Sequence, residues 1–258
     1  MVFIGVLIVS ACKKNAPTET ILPPAKPQLM ARAINDGADL ELTWTDSENA
    51  EEYVVYGDGS FLVRTTYPAV ILNGTDGVYS TVKVCAKNEL YRSCSTLDLT
   101  PRQDSLKGVV SSNLPGNSWV RIVFRDTISV EVIPQSEVDP FARRTAYFVL
   151  YYNEGAPELR DISATSLSWA NIELAFNINA RGDLAPGYGA YSNVQEITEG
   201  GFYFFWADYN GTGNGVIDTN DYFGAVEVTR LDTSGIGYEA DFVIYVQHNV
   251  PGLRWLKM

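Results

Sequence analysis

The sequence predicts an all-β protein made of two β-sandwich domains in tandem, and three observations carry that expectation. The chain holds 15 Tyr, 11 Phe and 5 Trp, with Val and Ile in short runs, and these side chains fit a pleated, half-buried surface. Its 21 glycines supply turns between such runs. No stretch has the apolar spacing of a long amphipathic helix. At 258 residues the chain accommodates two domains of the usual size, roughly 100–200 residues each.

The N-terminus sets the expected compartment. Val2 to Ala11 is an unbroken run of apolar and small residues that ends at Cys12 and is followed by Lys13 and Lys14. It is about half as long as the roughly 20-residue helix that crosses a bilayer, and it suits the apolar core of a secretory signal. Val9-Ser10-Ala11-Cys12 resembles a bacterial lipobox. That resemblance implies a signal peptide over residues 1–11, cleavage before Cys12, and diacylation of its thiol, which makes a membrane the first partner. The basic residues that open such a signal are missing before Val2, so a translation start upstream of Met1 is expected. A β-strand over Phe3–Val9 is the competing reading of the same residues. Lys13 stands where a retention signal would show Asp, which by resemblance to Gram-negative sorting implies the outer membrane. Residues 12–26 include Pro17, Pro23 and Pro24 and few large apolar groups, as expected of an extended tether.

Residues 27–102 carry the first domain. Leu40, Leu42 and Trp44 alternate with Glu41 and Thr43, an inward–outward strand pattern. Tyr53-Val54-Val55-Tyr56 is a second strand that runs into the turn Gly57-Asp58-Gly59, and Val70-Ile71-Leu72 is a third, closed by Asn73-Gly74. Val82, Val84 and Ala86 then alternate with Lys83, Cys85 and Lys87. The strand with Trp44, the YVVY strand and VKVCAKN resemble the B, C and F strands of a fibronectin type III domain. The resemblance implies a spacer or protein-binding module, and Tyr79, the candidate corner tyrosine, sits one residue early for that register. Cys85 falls on the outward phase of its strand, and a short turn at Glu89 to Arg92 would set Cys94 opposite. In an oxidising compartment these two thiols are expected to form a structural disulfide.

Residues 103–258 show eight further strand candidates, from Leu106–Val110 to Ala240–Val246, and predict one larger sandwich. The stretch GGFYFFWADYNGTGNGVIDTNDYFG resembles the tail half of transthyretin-like, carboxypeptidase-regulatory-type domains. Its loop, Asn210 to Asp221, can be laid over a twelve-position calcium loop. Asn210, Thr212 and Asn214 supply oxygens at positions one, three and five, Gly215 takes six, the Val216 carbonyl seven, and Asp218 and Asp221 nine and twelve. Asp208 substitutes for Asn210 if the loop closes differently. Calcium prefers six to eight oxygens, which alternate residues of a tight loop can aim at one centre. The expected role of calcium is structural, with affinity on the order of 0.1–1 mM. A hairpin held by turn chemistry alone is the alternative.

Other chemistry is sparse. Net charge is −12 and no Lys/Arg cluster exceeds a pair, which argues against a nucleic-acid partner. The sequence shows none of the GxSxG, HExxH, CxxC or phosphate-loop motifs. Arg181-Gly182-Asp183 is ordinary turn composition, and the single histidine, His248, has no partner motif. Tyr203, Trp206, Tyr209 and Tyr222 offer a carbohydrate-stacking platform if exposed, but alternation along a strand more simply puts half of them in the core. The expectation is a non-catalytic cell-envelope lipoprotein presenting adhesion or scaffold modules to a protein or glycan partner. A carbohydrate-binding or hydrolase-accessory lipoprotein is the rival.

Overall fold

The computed structural model describes residues 21–113, 118–125, 127–153, 155–165, 173–177, 182–187, 189–208, 217–218 and 220–258. Cys12 and the apolar run before it lie outside these residues, as do Asn210, Thr212, Asn214 and Val216. The architecture is all-β, with four antiparallel sheets that pair face to face around two main cores.

The first sandwich sets three strands against four. β1 (Leu29–Ile34), β2 (Asp39–Trp44) and β5 (Ala69–Asn73) pair in the order β1-β2-β5. Facing them are β3 (Glu52–Gly57), β4 (Ser60–Thr65), β6 (Thr81–Lys87) and β7 (Arg92–Asp98), in the order β4-β3-β6-β7. Alternate residues of a strand share a face, so Leu40, Leu42 and Trp44 meet Tyr53, Val55, Val82, Val84 and Ala86, each at most 3% exposed. Trp44 and Tyr53 pack edge to face at 5.3 Å. At the rim the Tyr53 hydroxyl donates to Asp46 and accepts from the Ser47 N–H, so its polar end is satisfied.

Cys85 and Cys94 are directly opposed across β6 and β7 and joined by a disulfide. The bridge fastens an edge strand to its neighbour and closes a short loop, with an expected stabilisation of about 2–3 kcal/mol. Cys85 does lie on the face away from the Val82–Val84–Ala86 core row, yet it is only 2% exposed. On that face it has Val54, itself 5% exposed, beside it, and Glu52 gathers Lys87 and Arg64 nearby. The residues before β1 are also docked. Ala25 N–H donates to Glu48 O, and the buried Asn88 amide donates to the carbonyls of Leu22 and Asn49.

The second sandwich has two five-stranded sheets. One contains β9 (Ser118–Val123), β10 (Ser129–Pro134), β11 (Thr145–Tyr151), β12 (Glu158–Asp161) and β14 (Val194–Glu196), in the order β10-β9-β11-β12-β14. The other contains β8 (Arg102–Val110), β13 (Glu173–Asn177), β15 (Phe202–Asp208), β16 (Tyr222–Asp232) and β17 (Glu239–Val246), in the order β13-β15-β16-β17-β8. Between them lie Val120, Ile122, Phe148 and Leu150 from one sheet and Tyr203, Phe205, Phe242 and Ile244 from the other. β15 is buried on both faces. Phe202, Phe204 and Trp206 pack outward with Phe223 and Tyr245, under Ala185 and Leu256. That double burial explains why its sequence reads as a continuous aromatic run rather than an alternation.

The two sandwiches are locked together by the chain's last residues. Val250, Leu253 and Trp255 belong to the first sandwich's core, although they follow the last strand of the second. Trp255 is fully buried, its ring edge-on to Tyr79 at 5.8 Å and its indole N–H donating to Ala38 O at 2.8 Å. Tyr79 therefore packs at this junction, with Gly57 and Gly77 leaving room for its ring. The buried Gln247 amide donates to Leu99 O and Trp255 O, and Arg254 N–H donates to Gly37 O. Gly37 has φ +75°, and a Cβ there would stand 2.0 Å from Gly252 O, so this close approach requires glycine. Burial pushes the Arg254 guanidinium pKa down, and its Nη1 donates to Ala185 O.

Strand direction assigns the poles. β1 runs from Leu29, paired with Trp44 near the docked Leu22 segment, toward Asn35 and Gly37 at the junction. The chain thus enters the first sandwich at the end opposite the second. In the second sandwich, β8 leaves the junction at Arg102 and ends at Val110, beside Glu239 and Tyr238 at the far pole.

Candidate functional site

Two places hold the predicted or observed chemistry, one at the junction and one at the far pole. At the junction, Asp208 stands at the end of β15 and Asp221 just before β16, immediately beyond the ladder pair Ala207–Tyr222. Both are buried, at 4% and 0% exposure. Asp218 N–H donates to Asp221 Oδ2 at 2.9 Å, Asn220 N–H donates to Asp218 Oδ1 at 2.6 Å, and Gly252 N–H donates to Asp221 O at 2.7 Å. The carboxylates thus organise their own turn, in the manner of Asx turns. Of the sequence-predicted calcium set, the structure describes Asp208, Asp218 and Asp221. Among the described residues no three His, Cys, Asp or Glu gather into a metal-type cluster. Ile217 and Asp218 line a small hollow with Asn35, Asp36 and Gly252, which places this end of the loop against the first sandwich.

Among the described residues, the row Tyr203, Trp206 and Tyr222 forms no exposed stacking platform, and its rings pack inward as strand alternation favours. Tyr203 and Trp206 are 2% and 6% exposed and point to opposite faces of β15, one into each core. Tyr222 is stacked on Phe124 with centroids 4.5 Å apart. Two buried faces consume these rings, and Tyr209 lies outside the described residues. His248 and Asp183 are exposed, Gly182 and Leu184 on either side of Asp183 are half-buried, and Arg181 lies outside the described residues.

The larger hollows sit on the outer face of the β10-β9-β11-β12-β14 sheet. Ile133, Trp119, Val149 and Arg160 form one row across four strands of this face. Trp119, Ile133, Tyr147, Val149 and Ile162 bury one another there, with Val138 against them. The 3-10 turns Gln135–Glu137 and Ile162–Ala164 flank this patch, the second capped by Asp161, which accepts the Ser163 N–H at 2.9 Å. Because the turns cover only part of the face, a cleft of about 620 Å³ remains at the far-pole end, lined among others by Asn113, Trp119, Gln135, Tyr151, Tyr152 and Arg160.

The walls of this cleft are fixed by paired groups. The Arg160 guanidinium lies 3.6 Å from the Tyr151 ring centroid and bonds Glu158 at 2.7 Å. Glu158 is 5% exposed and also accepts from the Asn153 amide at 2.7 Å. Asn113 accepts from Ser111 Oγ and donates to Ile236 O, while Tyr152 packs on Tyr238 at 5.0 Å. At the other end of the face a smaller hollow of about 430 Å³ is charged, with Arg121 paired to Glu131, and burial raises the pKa of the Tyr147 hydroxyl beside it. The sequence flagged none of these cleft residues, because they come from five separate segments and carry no local motif.

No family model matches the chain, and no curated protein matches it. Among solved structures, one described as "Structure of FN3tt mut" is 26% identical over 28% of this chain and 90% of that chain, with a TM-score of 0.26.

Proposed function

We propose that the chain is a non-catalytic cell-envelope lipoprotein, anchored through Cys12 to the outer membrane, that holds its second sandwich out from the surface on its first. The first sandwich is read as fibronectin type III-like, on the three-plus-four strand arrangement and the B, C and F strand pattern. The transthyretin-like reading of the second rests on residues 200–224 alone. The observation that carries the proposal is the polarity of the fold. The tether reaches the first sandwich at the pole opposite the junction, and Trp255, Gln247 and Arg254 fix the second sandwich at the other. Such an arrangement is suited to presentation for adhesion or scaffolding, with a protein or glycan as the partner. The test places a host lipoprotein's basic n-region before Val2 and expresses the chain in a Gram-negative bacterium. Labelled palmitate is expected in the wild-type chain, which sediments with outer membranes, and neither property is expected of Cys12→Ser. An unlabelled, soluble wild-type chain ends the reading.

Calcium at Asp208, Asn210, Thr212, Asn214, Val216, Asp218 and Asp221 belongs to the same proposal. Burial of Asp208 and Asp221 at the hairpin mouth supports it, and the hollow that Ile217 and Asp218 share with the Asn35–Gly37 turn gives the ion a role, to stiffen the junction. With a dissociation constant on the order of 0.1–1 mM, 10 mM calcium is expected to stabilise the chain by about 1.4–2.7 kcal/mol relative to excess chelator. Asp218→Asn should remove most of that difference. Superimposable melting curves with and without calcium would leave the loop a turn.

A further inference from the structure

We propose that the far-pole cleft over Trp119 and Tyr151 is a binding site for a neutral saccharide, one or two pyranose units of a longer glycan. It goes beyond the anchoring reading, since an unlipidated chain would bind equally well.

Size comes first. At about 620 Å³ the cleft lies inside the roughly 300–1,000 Å³ range of small-molecule sites, and it is larger than the charged hollow at the other end of this face. Its lining then selects the ligand. A pyranose ring presents flat C–H faces and a rim of hydroxyls, so it is matched by aromatic surface together with planar groups that both donate and accept hydrogen bonds. The cleft places the half-buried rings of Tyr151 and Tyr152, with the buried Trp119 beneath, beside the amides of Asn113 and Gln135, which donate and accept, and the guanidinium of Arg160, which donates.

Charge narrows the class to neutral glycans. Among the described residues of this lining Arg160 is the one that carries a charge, and it is already paired with Glu158 at 2.7 Å. An anionic sugar would have to compete with that buried carboxylate, whereas a hydroxyl can share the guanidinium with it. Preorganisation points the same way. Arg160 is held over the Tyr151 ring and by Glu158, Glu158 is held by Asn153, and Asn113 is held by Ser111 and Ile236. Fixed walls reduce the ordering cost of binding. Trp119 is 3% exposed, and its indole N–H meets no acceptor among the described residues.

Position agrees with the chemistry. Tyr151, Tyr152 and Asn113 lie beside Tyr238 at the pole farthest from the first sandwich. An extended glycan would reach the cleft there without meeting the junction.

The test is isothermal titration of the full chain with cellohexaose, maltohexaose and mannohexaose, and with oligogalacturonate as the charged comparison. At least one neutral hexaose is expected to bind. Tyr151→Ala, which removes a wall, is expected to weaken binding about tenfold or more. Gln135→Ala, at an exposed turn residue, is expected to weaken it about fivefold. Circular dichroism checks that both variants keep the wild-type strand signal. The proposal is overturned if no neutral hexaose binds, if only oligogalacturonate binds, or if neither substitution changes the affinity.

Discussion

Trp255→Ala is expected to destabilise the chain by about 3–5 kcal/mol, the range for truncating a fully buried Trp or Phe. In a chain of this size that is a fall of roughly 6–20 °C in Tm. The effect is large because one side chain does several jobs. Trp255 fills the first sandwich's core beside Leu253 and Val250, packs on Tyr79, and satisfies Ala38 O. Removing it opens a cavity in the first core where the second sandwich's last segment enters it, and the rigid strands around it cannot collapse to fill it. Trp255→Phe keeps most of the packing and loses the indole N–H, so it should cost only about 1–2 kcal/mol. Calorimetry distinguishes the two. A Trp255→Ala chain that melts with the wild type would mean that the first sandwich is complete without the C-terminal segment.

That segment also shows where sequence reading stops. Strands with a clean alternation were legible: Leu40-Leu42-Trp44 and Val82-Val84-Ala86 place their apolar residues in one core, as their period requires. The opposed pair Cys85–Cys94 followed from the same phase. Edge strands β1 and β4 were not read, because they mix exposed apolar residues such as Met30 and Phe61 with charged ones and bury little. β12 and β14 were missed because they are only 4 and 3 residues long. The aromatic run of β15 announced a strand but concealed its environment, since a chain buried on both faces has no period to reveal which ring faces which core. The C-terminal Leu253, Trp255 and Leu256 look like a tail in sequence, and their partners Ala38 and Leu184 are supplied by distant segments. Of the candidate sites, the acidic loop was visible as a spacing, whereas the cleft was invisible because tertiary packing alone assembles it.

Phe148→Ala tests whether the junction makes the two sandwiches one cooperative unit. Phe148 lies in the second core, fully buried and edge-to-face with Phe176 at 5.8 Å and with Phe242 at 6.1 Å. Its loss is expected to cost about 3–5 kcal/mol in the second sandwich. If the sandwiches were independent, protection of the first would be unchanged. The structure argues otherwise, because unfolding the second sandwich frees the segment that carries Val250, Leu253 and Trp255 and so empties part of the first core. Hydrogen exchange should therefore show Leu40–Trp44 and Val82–Ala86 losing protection together with Val120–Phe124 in Phe148→Ala. The same substitution made on top of Trp255→Ala should leave the first sandwich's protection where Trp255→Ala alone puts it, since the link that transmits the loss is already cut. First-sandwich protection that ignores Phe148→Ala in the wild-type background would show that the two sandwiches touch without sharing stability.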